Sequence, residues 1–267
     1  MTRATAEQPA TEPPSILSKA FDLLRAFNTN DRVMTLSELA RASELPKSTV
    51  HRLLGRLMEL DAIEPHRDGY KISLSMIQLG ANTPAAALRD LAMPYLAALH
   101  RWTSQTVHLG VLRKFEVVYI EKLSLPEAPV GLTSVGARLP ANCTAVGKAL
   151  LAGEDFEDLE AFLPTPLPML TSNSVSDVHR LIRQLREVCE SGVARENNES
   201  LIGVGCIAAP VIVHGFTIGA VSISHRAHEP LNPKAETALR DAAAGIARQA
   251  KNSLGSPNKA MWFGHDL

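Results

Sequence analysis

The sequence predicts an α+β chain in two parts, a winged helix-turn-helix at the N-terminal end followed by a larger α+β domain. Three observations carry that expectation. Thr35 to Leu60 has the pattern of two helices joined by a tight turn; Arg67-Asp68-Gly69 lies between two short β-rich segments; and beyond about residue 104 strand-like runs alternate with helical ones.

Residues 1–14, MTRATAEQPATEPP, are polar and read as a flexible arm. Ile16, Ala20, Leu23, Leu24 and Phe27 then mark an amphipathic helix able to supply a core for the pair that follows. Thr35 precedes Glu38 by three residues, the capping-box spacing that satisfies two orphan amides, so a helix starts at about Leu36 and ends near Ser43. Ser43-Glu44-Leu45-Pro46 supplies the turn, and proline is tolerated where a helix begins because its missing N–H costs nothing there. From Pro46 to about Leu60, Val50, Leu53, Leu54 and Leu57 follow the spacing of one buried stripe.

The other side of that helix carries Lys47, Ser48, Thr49, His51, Arg52 and Arg56, with no acidic residue between Pro46 and Met58. Such a face attracts phosphates, and short hydroxyls beside a lysine suit contact with base edges in a major groove. A solvated helix also shows a charged face; the flanking elements turn the reading toward DNA. Ala62 to His66 and Tyr70 to Ile72, with Asp68-Gly69 as the turn signal, form the wing. His66, Arg67 and Lys71 either reach the backbone and minor groove or are the exposed charges of a structural hairpin. The expected DNA-binding set is Thr35, Lys47, Ser48, Thr49, His51, Arg52, Arg56 and Arg67, within a domain spanning 15–78.

Ala81-Asn82-Thr83-Pro84 interrupts the pattern, and a helix resumes over Ala85 to Trp102 despite Pro94, so 79–103 reads as a linker region. The second domain, 104–254, shows strands at Thr106 to Arg113 and Val117 to Lys122, and helices around Val146 to Ala152 and Val175 to Ser191. Strands at Cys206 to Val213 and Thr217 to Ser224 follow, joined by His214-Gly215, and a helix from Pro233 to about Ser253; 255–267 is a flexible tail. Leu139 to Thr144 leads straight into the helix Ala145 to Leu151, whose first amides face an anion, with a carboxylate as the natural guest. Ser222 and Ser224 share one face of their strand. They either point into a cavity, with Cys206 on the preceding strand, or form the wet side of a half-exposed sheet. Cys206 reads equally as a small buried hydrophobe.

Composition narrows the function. A chain of 267 residues with 45% hydrophobic content holds two packed domains, and a net charge of -1 with pI about 6.8 confines any DNA affinity to a local patch. No stretch has the length of a membrane span or the core of a signal peptide, and three scattered cysteines, Cys143, Cys189 and Cys206, fit a reducing cytoplasm. Cys143 and His108 hint at a thiol nucleophile and base, but nothing places them together. Lacking a phosphate loop, a paired-cysteine zinc motif or a His-x-x-x-His, the chain reads as no enzyme and as needing no cofactor. The rival to a small-molecule sensor is a metal- or redox-sensing regulator using Cys143, Cys206 and a histidine.

Three segments, PKSTVHRLLGRLMEL, GARLPANCTAVGKALLA at Gly136 to Ala152, and GVGCIAAPV followed by IGAVSIS at Gly203 to Ser224, give the chain a resemblance from about Ser15 to Ala250. It resembles regulators of the isocitrate-lyase-regulator (IclR) type. The resemblance implies a winged helix-turn-helix joined by a helix to a GAF-like effector-binding domain, working as a dimer or tetramer on double-stranded operator DNA under control of a small metabolite. It also implies that backbone amides of Ala145 and Val146 and the side chains of Glu196, Cys206, Ser222 and Ser224 hold the effector. Two departures lie beside that set: Glu196-Asn197-Asn198-Glu199 is less acidic than usual in the family, and Asn142 stands where a histidine is common. Glu196 is also open to a plainer reading, as a solvated loop acid.

Overall fold

The computed structural model describes residues 15–27, 32–125 and 133–253, apart from 157, 158, 160 and 162. The arm at 1–14 and the tail at 255–267 lie outside the described residues. The chain divides into two compact units with the boundary between Asn82 and Thr83.

The first unit holds α1 (Ile16–Ala26), α2 (Leu36–Ala42), α3 (Lys47–Glu59), β1 (Ile63–His66), β2 (Gly69–Ile72) and α4 (Ser75–Ala81). Both arms of the capping box form: Thr35 Oγ1 accepts from the Glu38 amide at 3.3 Å, and Glu38 Oε2 accepts from the Thr35 amide at 2.8 Å. Between α2 and α3, Glu44 takes the left-handed conformation (φ 55°) that lets the chain reverse in so few residues. Val50, Leu53, Leu54 and Leu57 are buried together with Leu23 of α1 and Leu39 of α2.

The wing differs in one detail from the expected turn. His66 pairs with Gly69, so the turn residues are Arg67 and Asp68, and Gly69 is already in the strand. Its role is close approach: a Cβ there would lie 2.9 Å from the Met34 carbonyl oxygen, and Met34 bridges to the adjacent Tyr70. Helix α4 was not anticipated, because none of its residues is buried and SMIQLGA carries no apolar period.

The second unit begins with α5 (Pro84–Thr103). It continues through β3 (Thr106–Arg113), β4 (Glu116–Leu123), β5 (Arg138–Pro140), α6 (Ala145–Leu151) and α7 (Val178–Ser191), then β6 (Ala194–Asn197), β7 (Val204–Val213), β8 (Phe216–Arg226) and α8 (Ala235–Ser253). The six strands form one antiparallel sheet in the order β5-β4-β3-β8-β7-β6. Strand alternation divides the side chains between two cores. Val107, Leu109, Ile207, Val221 and Ile223 pack against α5 and α8, while Val117, Ala208 and Ala220 pack against α6 and α7.

Residues 79–103, read from sequence as a linker, divide between the units. α4 ends in the first, and α5 buries Leu88, Ala92, Leu96 and Leu99 in the core of the second. Pro94 sits within α5 on its exposed side. β5 and β6 escaped the sequence reading because RLP and AREN are too short and polar to alternate visibly. The β7–β8 hairpin turns on His214 and Gly215, both at positive φ (51° and 84°), as a two-residue loop requires.

Candidate functional site

Two surfaces qualify, one in each unit. In the first, Lys47, Ser48, His51 and Arg52 are exposed along α3 and Thr49 is half-buried; Ser48 and Arg52 lie opposite the buried stripe, and Lys47, Thr49 and His51 flank it. Arg56 is exposed too, but its guanidinium donates to Glu59 at 2.6 Å. The face is therefore compensated at its C-terminal end, by an acid that directly follows the acid-free stretch ending at Met58. Thr35 is the α2 cap, its hydroxyl engaged by Glu38. On the wing Arg67 is exposed at the turn, whereas Lys71 pairs across the strands with Glu64 at 2.7 Å, giving Lys71 a structural task.

In the second unit a cavity of about 310 Å³ lies on the α6 side of the sheet. Ala145, Val146, Glu196, Cys206, Ser222 and Ser224 all line it. Register explains why residues so far apart in sequence arrive there. Thr106 pairs with Ser224, Ser224 with Cys206, and Cys206 with Glu196, one row across four strands; Lys122, His108 and Ser222 form the next row. Paired residues share a face, so each row presents its side chains to the same space. The wet-sheet reading fails for Ser222, which is 1% exposed beneath α6; Ser224 is half-buried and lines the same cavity. β7 starts at Val204, two residues before Cys206.

Helix α6 forms the roof. Thr144 caps it by accepting from the Gly147 amide at 2.9 Å, leaving the Ala145 and Val146 amides as the orphan donors of the first turn. The helix fits against the preceding turn only because residue 147 has no side chain; a Cβ there would overlap the Ala141 backbone.

Glu196 is no solvated loop acid: it lies on β6 and is 4% exposed. Its Oε2 accepts from the Glu199 amide at 3.0 Å and the Ser200 amide at 3.4 Å, and Oε1 accepts from Ser200 Oγ at 3.0 Å. Burial nonetheless raises its carboxyl above the usual range. It thereby organises the β6–β7 loop, whose Ser200, Leu201 and Gly203 line the cavity. Cys206 Sγ lies 2.9 Å from Ser224 Oγ, and burial together with nearby Glu196 pushes its thiol well up.

His108, missed as a lining residue, sits in the middle of the floor. Its Nε2 is 2.8 Å from Thr133 Oγ1, its Nδ1 is 3.5 Å from the hydroxyls of Ser222 and Ser224, and its ring is tilted on Tyr119 at 5.1 Å. Burial, then the charge of Lys122, lowers it to about 3, so it stays neutral.

The departing residues Asn142, Asn197 and Asn198 do not line the cavity. Asn142 is fully buried outside the lining, its amide nitrogen donating to the carbonyls of Pro168 (2.8 Å) and Val175 (2.9 Å). Asn198 instead accepts from the Gly203 amide at 2.6 Å, shaping the loop.

Cys143 donates to the Pro168 carbonyl at 3.3 Å and does not line the cavity that Cys206 lines, so the Cys143/Cys206 sensor is not assembled and Cys143 is not bonded to His108. Burial raises both thiols, which disfavours the reactive thiolate, and among the described residues no group of three His, Cys, Asp or Glu is placed to hold a metal ion.

Residues 16–67 match the IclR helix-turn-helix domain, and residues 82–249, well over half of the chain, match the family of bacterial transcriptional regulator IclR C-terminal domains. The chain belongs to the IclR family. It is 31% identical over 213 residues to the HTH-type transcriptional regulator XynR of Escherichia coli (strain K12), covering 78% of this chain and 84% of that one. With the HTH-type transcriptional regulator KdgR of Dickeya chrysanthemi it shares 32% over 223 residues, 80% of this chain and 72% of the relative. Among solved structures, an IclR homolog from Microbacterium hydrocarbonoxydans complexed with 4-hydroxybenzoate superposes with a TM-score of 0.79 at 28% identity, covering 90% of this chain and all of that one. Thermotoga maritima IclR gives 0.71 at 27% identity, covering 87% and 97%. The IclR-family chain is thus a transcriptional regulator, with a DNA-binding helix-turn-helix unit and a ligand-binding C-terminal domain.

Proposed function

We propose that α3 reads operator DNA and that a small organic acid in the β-sheet cavity alters that binding. The observation that carries this reading is the convergence of Ala145, Val146, Glu196, Cys206, Ser222 and Ser224, from α6, β6, β7 and β8, on one cavity of about 310 Å³. That volume is at the small end of ligand sites and suits a compact metabolite. Two orphan amides at the start of α6, serine hydroxyls and a neutral histidine are donors matched to carboxylate or hydroxyl oxygens. The 4-hydroxybenzoate held by the Microbacterium homolog is an acid of the right size class.

On the DNA side, Lys47, Ser48, Thr49, His51 and Arg52 enter the major groove, with Arg56 and the wing's Arg67 on phosphates and Thr35 at the adjacent helix start. One recognition helix spans only a few base pairs, so the working unit is a homodimer or homotetramer on a two-part operator. The chain acts as a regulator and not as an enzyme, in the cytoplasm; among the described residues no helix is long and apolar enough to cross a membrane. The test is a thermal-shift screen of small organic acids followed by gel shift on the operator, with light scattering on the complex. Acids that stabilise the protein yet leave operator binding unchanged, or a monomer on DNA, would contradict this reading.

A further inference from the structure

We propose that Lys122 supplies the unpaired positive charge by which the cavity selects its ligand, so that the effector is an anion. The proposal rests on the reading of the cavity as the effector site and names the residue that sets its charge preference.

Lys122 reaches the cavity by an irregularity. On a regular strand Tyr119 and Lys122, three residues apart, would face opposite sides. The β3–β4 register slips between Leu109 and Gly110, however: Leu109 pairs with Glu121 and Gly110 with Tyr119, leaving Ile120 without a partner. The bulge returns Tyr119 to the face of Lys122, and both line the cavity. Lys122 is then directly opposite His108, which is opposite Ser222, so cation, neutral ring and hydroxyl stand in one row across three strands.

The other charges at the cavity are engaged. Glu196 accepts from the amides of its own loop. Arg226 lies 3.5 Å from Glu229. The neighbouring Glu121 turns its Oε1 back to the Lys122 amide at 2.8 Å. Among the described residues no carboxylate stands within ion-pairing distance of the Lys122 ammonium. Burial lowers its affinity for a proton, and no opposing charge restores it. His108 adds no second cation, being held neutral by that same burial and by Lys122. A partly desolvated ammonium with no counter-ion among the described residues is unfavourably placed, and an anionic ligand relieves it. The α6 amides offer direction and partial charge; Lys122 distinguishes an acid from its amide.

The experiment is isothermal titration of the full chain with aromatic and aliphatic carboxylates, 4-hydroxybenzoate among them, each beside its uncharged amide. Wild type should bind its best acid at least tenfold more tightly than the matching amide. Lys122→Met, which keeps the aliphatic stem, should lose that preference while retaining amide affinity, and Lys122→Arg should keep it. Wild-type binding of acid and amide with equal affinity overturns the proposal. So does an acid preference that survives in Lys122→Met while Ser222→Ala weakens binding about tenfold or more; in that case the cavity reading stands and only the charge assignment falls. If no carboxylate binds wild type, the cavity reading falls and the assignment with it.

Discussion

Lys148 of α6 holds Glu199 of the β6–β7 loop through contacts of 2.7 Å to both carboxylate oxygens, with side-chain exposures of 1% and 9%. Its third donor reaches the Arg195 carbonyl at 3.2 Å. The pair ties the roof of the cavity to the loop that closes one side of it. Removing one partner leaves a buried charge unanswered, so Lys148→Met should cost about 3 to 5 kcal/mol of stability. The double variant Lys148→Met, Glu199→Leu should recover most of that loss. Urea unfolding of the three proteins checks this; equal losses in the single and double variants would mean that packing matters there and the ion pair does not.

The buried imidazole makes stability depend on pH. His108 titrates at about 3 in the fold instead of its ordinary 6.5, so below 6.5 the unfolded chain takes up a proton that the folded chain refuses. The contribution is intact above pH 6.5 and lost as pH falls from there toward 3, at roughly 1.4 kcal/mol per pH unit. Glu196, raised by burial, has the opposite sign around and above its ordinary 4.5. The comparison is therefore wild type against His108→Asn, with unfolding midpoints measured at pH 7, 6 and 5. Identical slopes would show that His108 protonates freely in the folded state.

On α3, Arg52 is exposed and Arg56 is paired with Glu59. Arg52→Ala should weaken operator binding by about 1 to 3 kcal/mol, as expected for a base-reading arginine. Arg56→Ala should cost less and act mainly through the salt dependence, because its charge is already shared. Fluorescence anisotropy at matched salt concentrations separates the two; unchanged affinity in Arg52→Ala would remove that residue from the interface.

Ser222 lies opposite His108 on one side and Ala208 on the other. Ser222→Ala deletes a hydroxyl from the cavity floor without touching the first unit. Operator affinity of the ligand-free protein should stay at the wild-type value while the concentration of acid needed to change it rises about tenfold or more, consistent with about 1.4 kcal/mol for a lost hydrogen bond in a buried site. A normal acid response in a gel-shift titration would place the effector elsewhere.

Legibility followed the range of the physics involved. The capping box at Thr35, the stripe Val50, Leu53, Leu54 and Leu57, and the turn at His214-Gly215 are local arrangements, and each is formed in the structure. β5, β6 and α4 were invisible because short polar strands and an exposed helix leave no period to read. Gly69 read as a turn residue; its requirement comes instead from Met34, a partner far along the chain. Lys148 lies within AVGKALL, where a lysine is ordinarily solvated, and only its partner Glu199 explains its burial.

The sequence by itself determined a winged helix-turn-helix with a basic helix face and an α+β second part, and its motifs pointed to six residues at four separate places in the chain as one site. Those follow from helix and strand periods and cap chemistry, and from the resemblance its motifs carry. The tertiary structure alone decided that the six share a cavity, that His108 is neutral, that Cys143 stays outside, and that a bulge turns Tyr119 and Lys122 to the same face. Register, burial and charge are properties of residues brought together from distant parts of the chain, and no local pattern encodes them.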